Sequence, residues 1–245
     1  MNITADMKVS DIALADTRLR EALETMGIDT CCGGQKPLRD AALAIAHPVE
    51  NVVQELHKAL ERPLPLRAPQ KDWRAVLPCE LCRHIVDTHH AYLYSTLPHL
   101  QELLDKVRKA HAERHGAMLT EVARSFEPLR QELLGHLPKE ENILFPLICA
   151  LEQQTAGGPP AQSHCGSVRN PIGQMIYEHE GAGRLLESLR KTTQNYAVLP
   201  DFCTSFRALY DGLQQLEADL HEHIFLENNI LFPKAISLEE QVRTT

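Results

Sequence analysis

The chain lacks any apolar run long enough to cross a bilayer, which excludes an integral membrane role. Its first ten residues, M-N-I-T-A-D-M-K-V-S, have no apolar core of the kind a secretory signal needs. No long basic run occurs and the net charge is −8, so binding a phosphate backbone is not its business. Seven cysteines, an odd number in 245 residues, do not form the disulfide framework of a secreted scaffold. The spacing C-x-x-C occurs once, at Cys79 and Cys82, and without a second copy a Cys₄ zinc site is unsupported. These absences leave a cytoplasmic protein of one or two domains, with neither nucleic acid nor membrane as partner.

What is present is an internal echo. Residues 136–146 read H-L-P-K-E-E-N-I-L-F-P and residues 223–233 read H-I-F-L-E-N-N-I-L-F-P. Each copy has a histidine and, four residues on, a glutamate: His136 with Glu140, His223 with Glu227. A spacing of four puts both side chains on one helix face, one turn apart. The apolar rhythm says which face. Val122, Phe126, Leu129 and Leu133 lead to His136, Glu140, Ile143 and Leu147; Phe202, Phe206, Leu209, Leu213, Leu216 and Leu220 lead to His223, Glu227 and Ile230. Steps of four and three alternate, as on a helix packed against other helices. Each His and Glu therefore takes a place otherwise given to an apolar side chain. A buried glutamate without a partner is costly, and a bound cation removes the cost for both carboxylates.

Two further helices complete the pattern. Val86, His90, Leu93, Leu97, Leu100, Leu104 and Val107 form one seam; Ile172, Met175, His179, Ala182, Leu186 and Leu189 form the other. His89 lines up with the more polar Ile85, Tyr92, Thr96 and His99, so His90 is the inward histidine. The order is a lone His, a His–Glu pair, a lone His and a second His–Glu pair: two helix hairpins around one site. A single histidine on an apolar face is usually a core residue with a hydrogen bond, but six inward polar groups in duplicated order point to metal. Imidazole and carboxylate without thiolate suit iron, manganese or zinc.

With D-T-C-C-G-G at 29–34, T-H-H at 88–90, the two H-x-x-x-E copies, E-H-E at 178–180 and L-E-N-N-I-L-F-P at 226–233, nearly the whole chain resembles the hemerythrin-like di-iron proteins. More narrowly it resembles the RIC (repair of iron centres) family. The resemblance implies an all-α fold: an N-terminal ScdA-type helical domain (1–66), a linker (67–80) and a hemerythrin-like four-helix bundle (81–237). It implies two iron ions with an oxo-type bridge, terminal ligands His90, His136, His179 and His223, and bridging Glu140 and Glu227. It places Glu132 and Glu178 on an access route to the centre. It makes Cys31 and Cys32 reactive thiols that deliver iron or electrons, and it extends to a homodimer through the small domain. The implied function is repair of iron–sulfur clusters damaged by nitrosative or oxidative stress. Iron donation and nitric oxide reductase-type activity are both open on these ligands, with damaged iron–sulfur proteins and nitric oxide or oxygen as partners. The alternative is a carrier or sensor of oxygen or nitric oxide.

Several local expectations follow. Pro138, inside the first pair, and Pro128 predict a kink or altered winding near the site. The N-terminal region predicts a helix capped by Ser10 and stopped at Gly27, a turn at 29–34, and helices over 38–46 and 49–60. Residues 63–69 are too proline-rich for helix and read as a stiff linker. Residues 152–171 read as one long loop, with His164 and Cys165 exposed in it. The glycines after Cys31 and Cys32 leave backbone N–H groups that favour a thiolate. Cys79 and Cys82 are spaced as a redox pair at a helix start, whereas Cys149 and Cys203 read as packing.

Overall fold

The computed structural model describes residues 1–62, 72–161 and 166–244, which contain helices and turns and no β-strand. The linker expected at 63–69, and His164 and Cys165, lie outside these residues. Two compact units form: Met1–Val76 with Ile224–Pro233, and Leu77–His223 with Lys234–Thr245.

The first unit holds α1 (Val9–Ala15), α2 (Thr17–Thr25), α3 (Leu38–Ala44) and α4 (Val49–Glu61). One helix was expected from Ser10 to Met26, and two are found. Asp16 turns extended, with φ −158°, and its carboxylate accepts the Arg18 N–H at 2.9 Å, so it caps α2. Ser10 is buried inside α1 rather than capping it. Gly27, at φ +82°, ends α2 in the left-handed conformation that glycine adopts freely. Leu19, Leu23, Leu38, Val52 and Leu56 form this unit's core with Ile224 and Phe225. The Arg20 guanidinium stands 4.0 Å over the Phe225 ring. The buried Asn229 amide donates to the carbonyls of Thr30 and Cys31 at 3.1 and 3.4 Å.

The second unit follows the seams read from the sequence. Its helices are α5 (Pro78–Ile85), α6 (Ala91–Ala110), α7 (Ala112–Lys139), α8 (Phe145–Thr155), α9 (Arg169–Thr192) and, outside the Ile224–Pro233 segment that belongs to the first unit, α10 (Thr204–Leu226) and α11 (Phe232–Thr244). Three π-turns, Val86–His90, Glu140–Leu144 and Glu227–Leu231, join α5 to α6, α7 to α8 and α10 to α11 without a break. The result is four long helical stretches. Leu97, Leu104, Phe126, Leu186, Phe206 and Leu213 fill the bundle core. The loop expected at 152–171 is shorter, because α8 continues to Thr155 and α9 starts at Arg169. Glu239 fixes that start by accepting the Val168 N–H at 2.9 Å.

The winding does change beside the first His–Glu pair, but not at Pro138. α7 runs through Pro128 and Pro138, and the π-turn begins after them, at Glu140. The same turn occurs at Glu227–Leu231. What the two copies share is the proline that follows, Pro146 or Pro233. Its ring would collide with the carbonyl four residues back, on Asn142 or Asn229, inside each π-turn. Pro98, Pro128 and Pro138 nevertheless lie in regular helix, and Val86–His90 widens with no such proline after it, so the proline alone does not set the wider turn. The extra residue also shifts the register. Ile143, expected inward, is 50% exposed, while Leu144 and Ile148 are buried in its stead.

The cysteines depart from expectation most. Cys79 is disulfide-bonded to Cys149 on α8, 70 residues away, with Cα atoms 4.9 Å apart; Cys82 is buried and lies outside the disulfide. Cys79 thus does not pair within C-x-x-C, and Cys149 is not simply a packing residue. Facing positions on two packed helices decide the partner, and sequence spacing cannot report that. Cys203 is exposed, with Sγ 3.2 Å from His111 Nε2, so it is not a packing residue either. Closing so long a loop constrains the unfolded chain. Cys149→Ser should lower stability by about 4 kcal/mol, and an unchanged urea midpoint under oxidising conditions would contradict this.

Candidate metal centre

Each long helical stretch brings one or two polar side chains into the second unit's interior or into the helix that continues from it. His90 ends the first π-turn, Glu140 starts the second and Glu227 starts the third. Widened turns of this kind occur mostly at functional positions, because they re-aim side chains that a regular helix would place elsewhere. His136 and His223 lie one turn before their glutamates, and His179 lies midway along α9. His90, Glu140 and Glu227 are fully buried, and His136, His179 and His223 nearly so.

The ligand atoms converge in two groups. His90, Glu140, His223 and Glu227 form one, and His136, Glu140, His179 and Glu227 the other, each with its donor atoms within 4.8 Å of one another. Glu140 and Glu227 belong to both. Two ligands about 2.1 Å from one ion stand about 3 to 3.5 Å from each other. His90 Nε2 lies 3.4 Å and His136 Nε2 3.3 Å from the same Glu140 oxygen, and His136 and His179 bring their Nε2 atoms within 3.3 Å. Spacing and donor chemistry both fit a pair of cations. Without a cation, two buried carboxylates would oppose folding.

Outer carboxylates aim the imidazoles. Glu141 Oε1 lies 2.8 Å from His90 Nδ1, and Glu178 Oε2 lies 2.8 Å from His136 Nδ1. A proton held on Nδ1 by such a partner leaves the Nε2 lone pair free to point at the metal position. Desolvation would raise the Glu178 pKa, but hydrogen bonds from Lys139, Gln174 and His136 outweigh it and hold the carboxyl at about 2.

The sequence that builds this site resembles known ones. The Hemerythrin HHE cation binding domain model matches residues 83–235, which include all six converging side chains. The chain belongs to the hemerythrin family. A second model, the ScdA_N domain of unknown function, matches residues 5–60. The iron-sulfur cluster repair protein YtfE of Citrobacter koseri is 35% identical over 234 residues, covering 96% of this chain and 98% of the relative. YtfE of Cronobacter sakazakii is 35% identical over 235 residues with the same coverage, and that of Escherichia coli O157:H7 is 34% identical over 234.

Within this hemerythrin-type site the remaining residues take different places. Glu178 sits on the outer nitrogen of His136. Glu132 is exposed one turn before His136, with its carboxylate beside Gly181. His89 is also buried: its ring stacks on His223 with centroids 5.4 Å apart, and its Nδ1 lies 2.9 Å from Asp219. The π-turn at Val86–His90 lets adjacent histidines both face inward, so the choice between them is not exclusive. Sequence reasoning missed Glu141 and Asp219. A glutamate directly after Glu140 looks like a solvated helix residue, and nothing in its spacing pairs it with His90.

Cys31 and Cys32 are in the first unit with Asp29, and the three could also hold a metal ion. Their N–H groups are not left for a thiolate, because both donate to Asp29 Oδ1 at 2.9 Å. Neighbouring Cys32, burial and the Asp29 carboxylate push the Cys31 thiol well above its ordinary pKa. A cation there would reverse that preference by favouring the thiolate.

Glu141→Gln and Glu178→Gln should each weaken metal binding about 10- to 100-fold. Competition against a calibrated chelator measures this, and wild-type affinity in both variants would remove the aiming role.

Proposed function

We propose that the chain is a di-iron protein that takes part in repair of iron–sulfur clusters damaged by nitrosative or oxidative stress. The observation that carries this reading is the pair of buried His–Glu groups sharing Glu140 and Glu227, in a chain that matches YtfE over nearly its whole length. His90 with His223 would hold one iron, His136 with His179 the other, and both glutamates would bridge, with an oxo-type bridge between the ions. When bound, such a pair supplies a labile iron for donation and a redox centre for nitric oxide or oxygen.

The chain's own residues do the rest. Glu141 and Glu178 orient His90 and His136. Burial of Glu140 and Glu227 keeps both carboxylates for the cation rather than for solvent. Glu132 borders the site on an outer helix face. Cys31 and Cys32, with Asp29, form a second place where iron can be passed. Damaged iron–sulfur proteins are the proposed partners, and the cytoplasm the proposed location. No helix among the described residues is long and apolar enough to cross a membrane.

Metal analysis and optical spectra of anaerobically purified protein, with and without nitric oxide, test the centre. Transfer of that iron to a damaged cluster tests the function. Two irons per chain, a response to nitric oxide, and recovery of a damaged iron–sulfur enzyme are expected. Reversible gas binding without cluster recovery would favour a carrier or sensor instead.

A further inference from the structure

The Cys79–Cys149 bond has a place that a purely stabilising crosslink does not need. α5 runs directly into the π-turn that ends at His90, and α8 runs directly out of the π-turn that begins with Glu140 and Glu141. The disulfide joins the start of α5 to the middle of α8, away from the ligands. At the ligand ends the same segments meet again, where His90 Nδ1 and Nε2 face Glu141 and Glu140. Beside the covalent bond, the Cys79 N–H donates a charge-assisted hydrogen bond to Glu152 of α8 at 2.8 Å. Both bonded cysteines are partly exposed, whereas Cys82, one turn along α5, is buried. Thiols in solution can therefore reach the disulfide. In a reducing compartment a reachable disulfide is transient rather than structural.

We propose that Cys79–Cys149 is a thiol–disulfide exchange site, open to low-molecular-weight thiols, whose state sets how firmly the centre keeps its metal. A thiolate of the small thiol attacks one sulfur, the Cys79–Cys149 bond breaks, and the other cysteine leaves as thiolate and takes up a proton. A second small thiol then displaces the mixed disulfide. The two small thiols end as their own disulfide, having supplied the two electrons that convert Cys79 and Cys149 to thiols. With the bond open, α5 and α8 lose their covalent tie, while the Glu152 hydrogen bond and side-chain packing remain. The π-turns that follow are the hinges, so His90 and Glu140 separate more readily and the metal escapes faster. Thiol supply and iron release are thereby coupled within one chain. This rests on the di-metal reading proposed above.

The test loads the full-length protein anaerobically with ferrous iron and follows its release to a ferrous chelator, with and without a phosphine reductant. Wild type should release iron on the order of tenfold faster once reduced, within the range usual for coupled sites. Cys79→Ser/Cys149→Ser should release at that faster rate whether or not reductant is present. Equal rates for oxidised and reduced wild type, both binding iron, would overturn the coupling and leave the di-metal reading standing. Acceleration by reductant that persists in the double variant would assign the effect to Cys31 and Cys32 and also overturn it. A chain that binds no iron in either state would overturn both readings.

Discussion

Glu140→Ala or Glu227→Ala is expected to remove at least half of the bound metal while leaving the helices intact. Each carboxylate belongs to both ligand groups, so a single substitution takes a donor from both metal positions. Neither glutamate contributes to the fold as an apolar core residue would, because both are fully buried acids. Metal should stabilise wild type by about 4 kcal/mol when its concentration is a thousandfold above the dissociation constant. That increment should largely vanish in either variant. Urea unfolding with and without chelator, alongside metal analysis, reads both quantities. Wild-type metal content in both variants would show that the carboxylates do not bridge.

Gly34→Ala should be strongly damaging to the first unit. An alanine Cβ there would overlap the Asn229 side-chain oxygen and come 2.9 Å from the Thr30 carbonyl. Asn229 is itself held by the carbonyls of Thr30, Cys31 and Phe225, so it cannot simply swing away. Overpacking of this kind costs about 3 kcal/mol. Asn229→Ala alone should also destabilise, because it deprives buried carbonyls of their donor. Combined with Gly34→Ala it should cost less than the two single losses together, since the overlap with the amide is gone. Thermal unfolding of the three variants gives the cycle. Strict additivity would mean that glycine is required there only for the Thr30 approach.

The duplicated H-x-x-x-E segments and the four seams marked out the helices and the six side chains that converge, though not the register after Glu140 or the burial of His89. These features are local. A 3.6-residue period and a polar residue at an apolar place are written along the chain, and the duplication repeats them. The N-terminal helices were legible for the same reason, apart from the corner at Asp16, where a side-chain cap outcompeted continuation of the helix.

What only the tertiary structure decided is of another kind. Periodicity assumes uniform winding, so the register change that exposes Ile143 and buries Leu144 could not be counted from the sequence. It begins at the wider turn that follows Lys139, and the packing of the helices decides where that turn falls. The other surprises are pairings across long separations: His90 with Glu141 over 51 residues, Cys79 with Cys149 over 70, Asn229 with Thr30 over 199. Composition determines that carboxylates, thiols and amides are available, and helix period determines the face each occupies. Which of them meet depends on how the helices pack, because bringing distant groups within bonding distance is the work of burying the seams together.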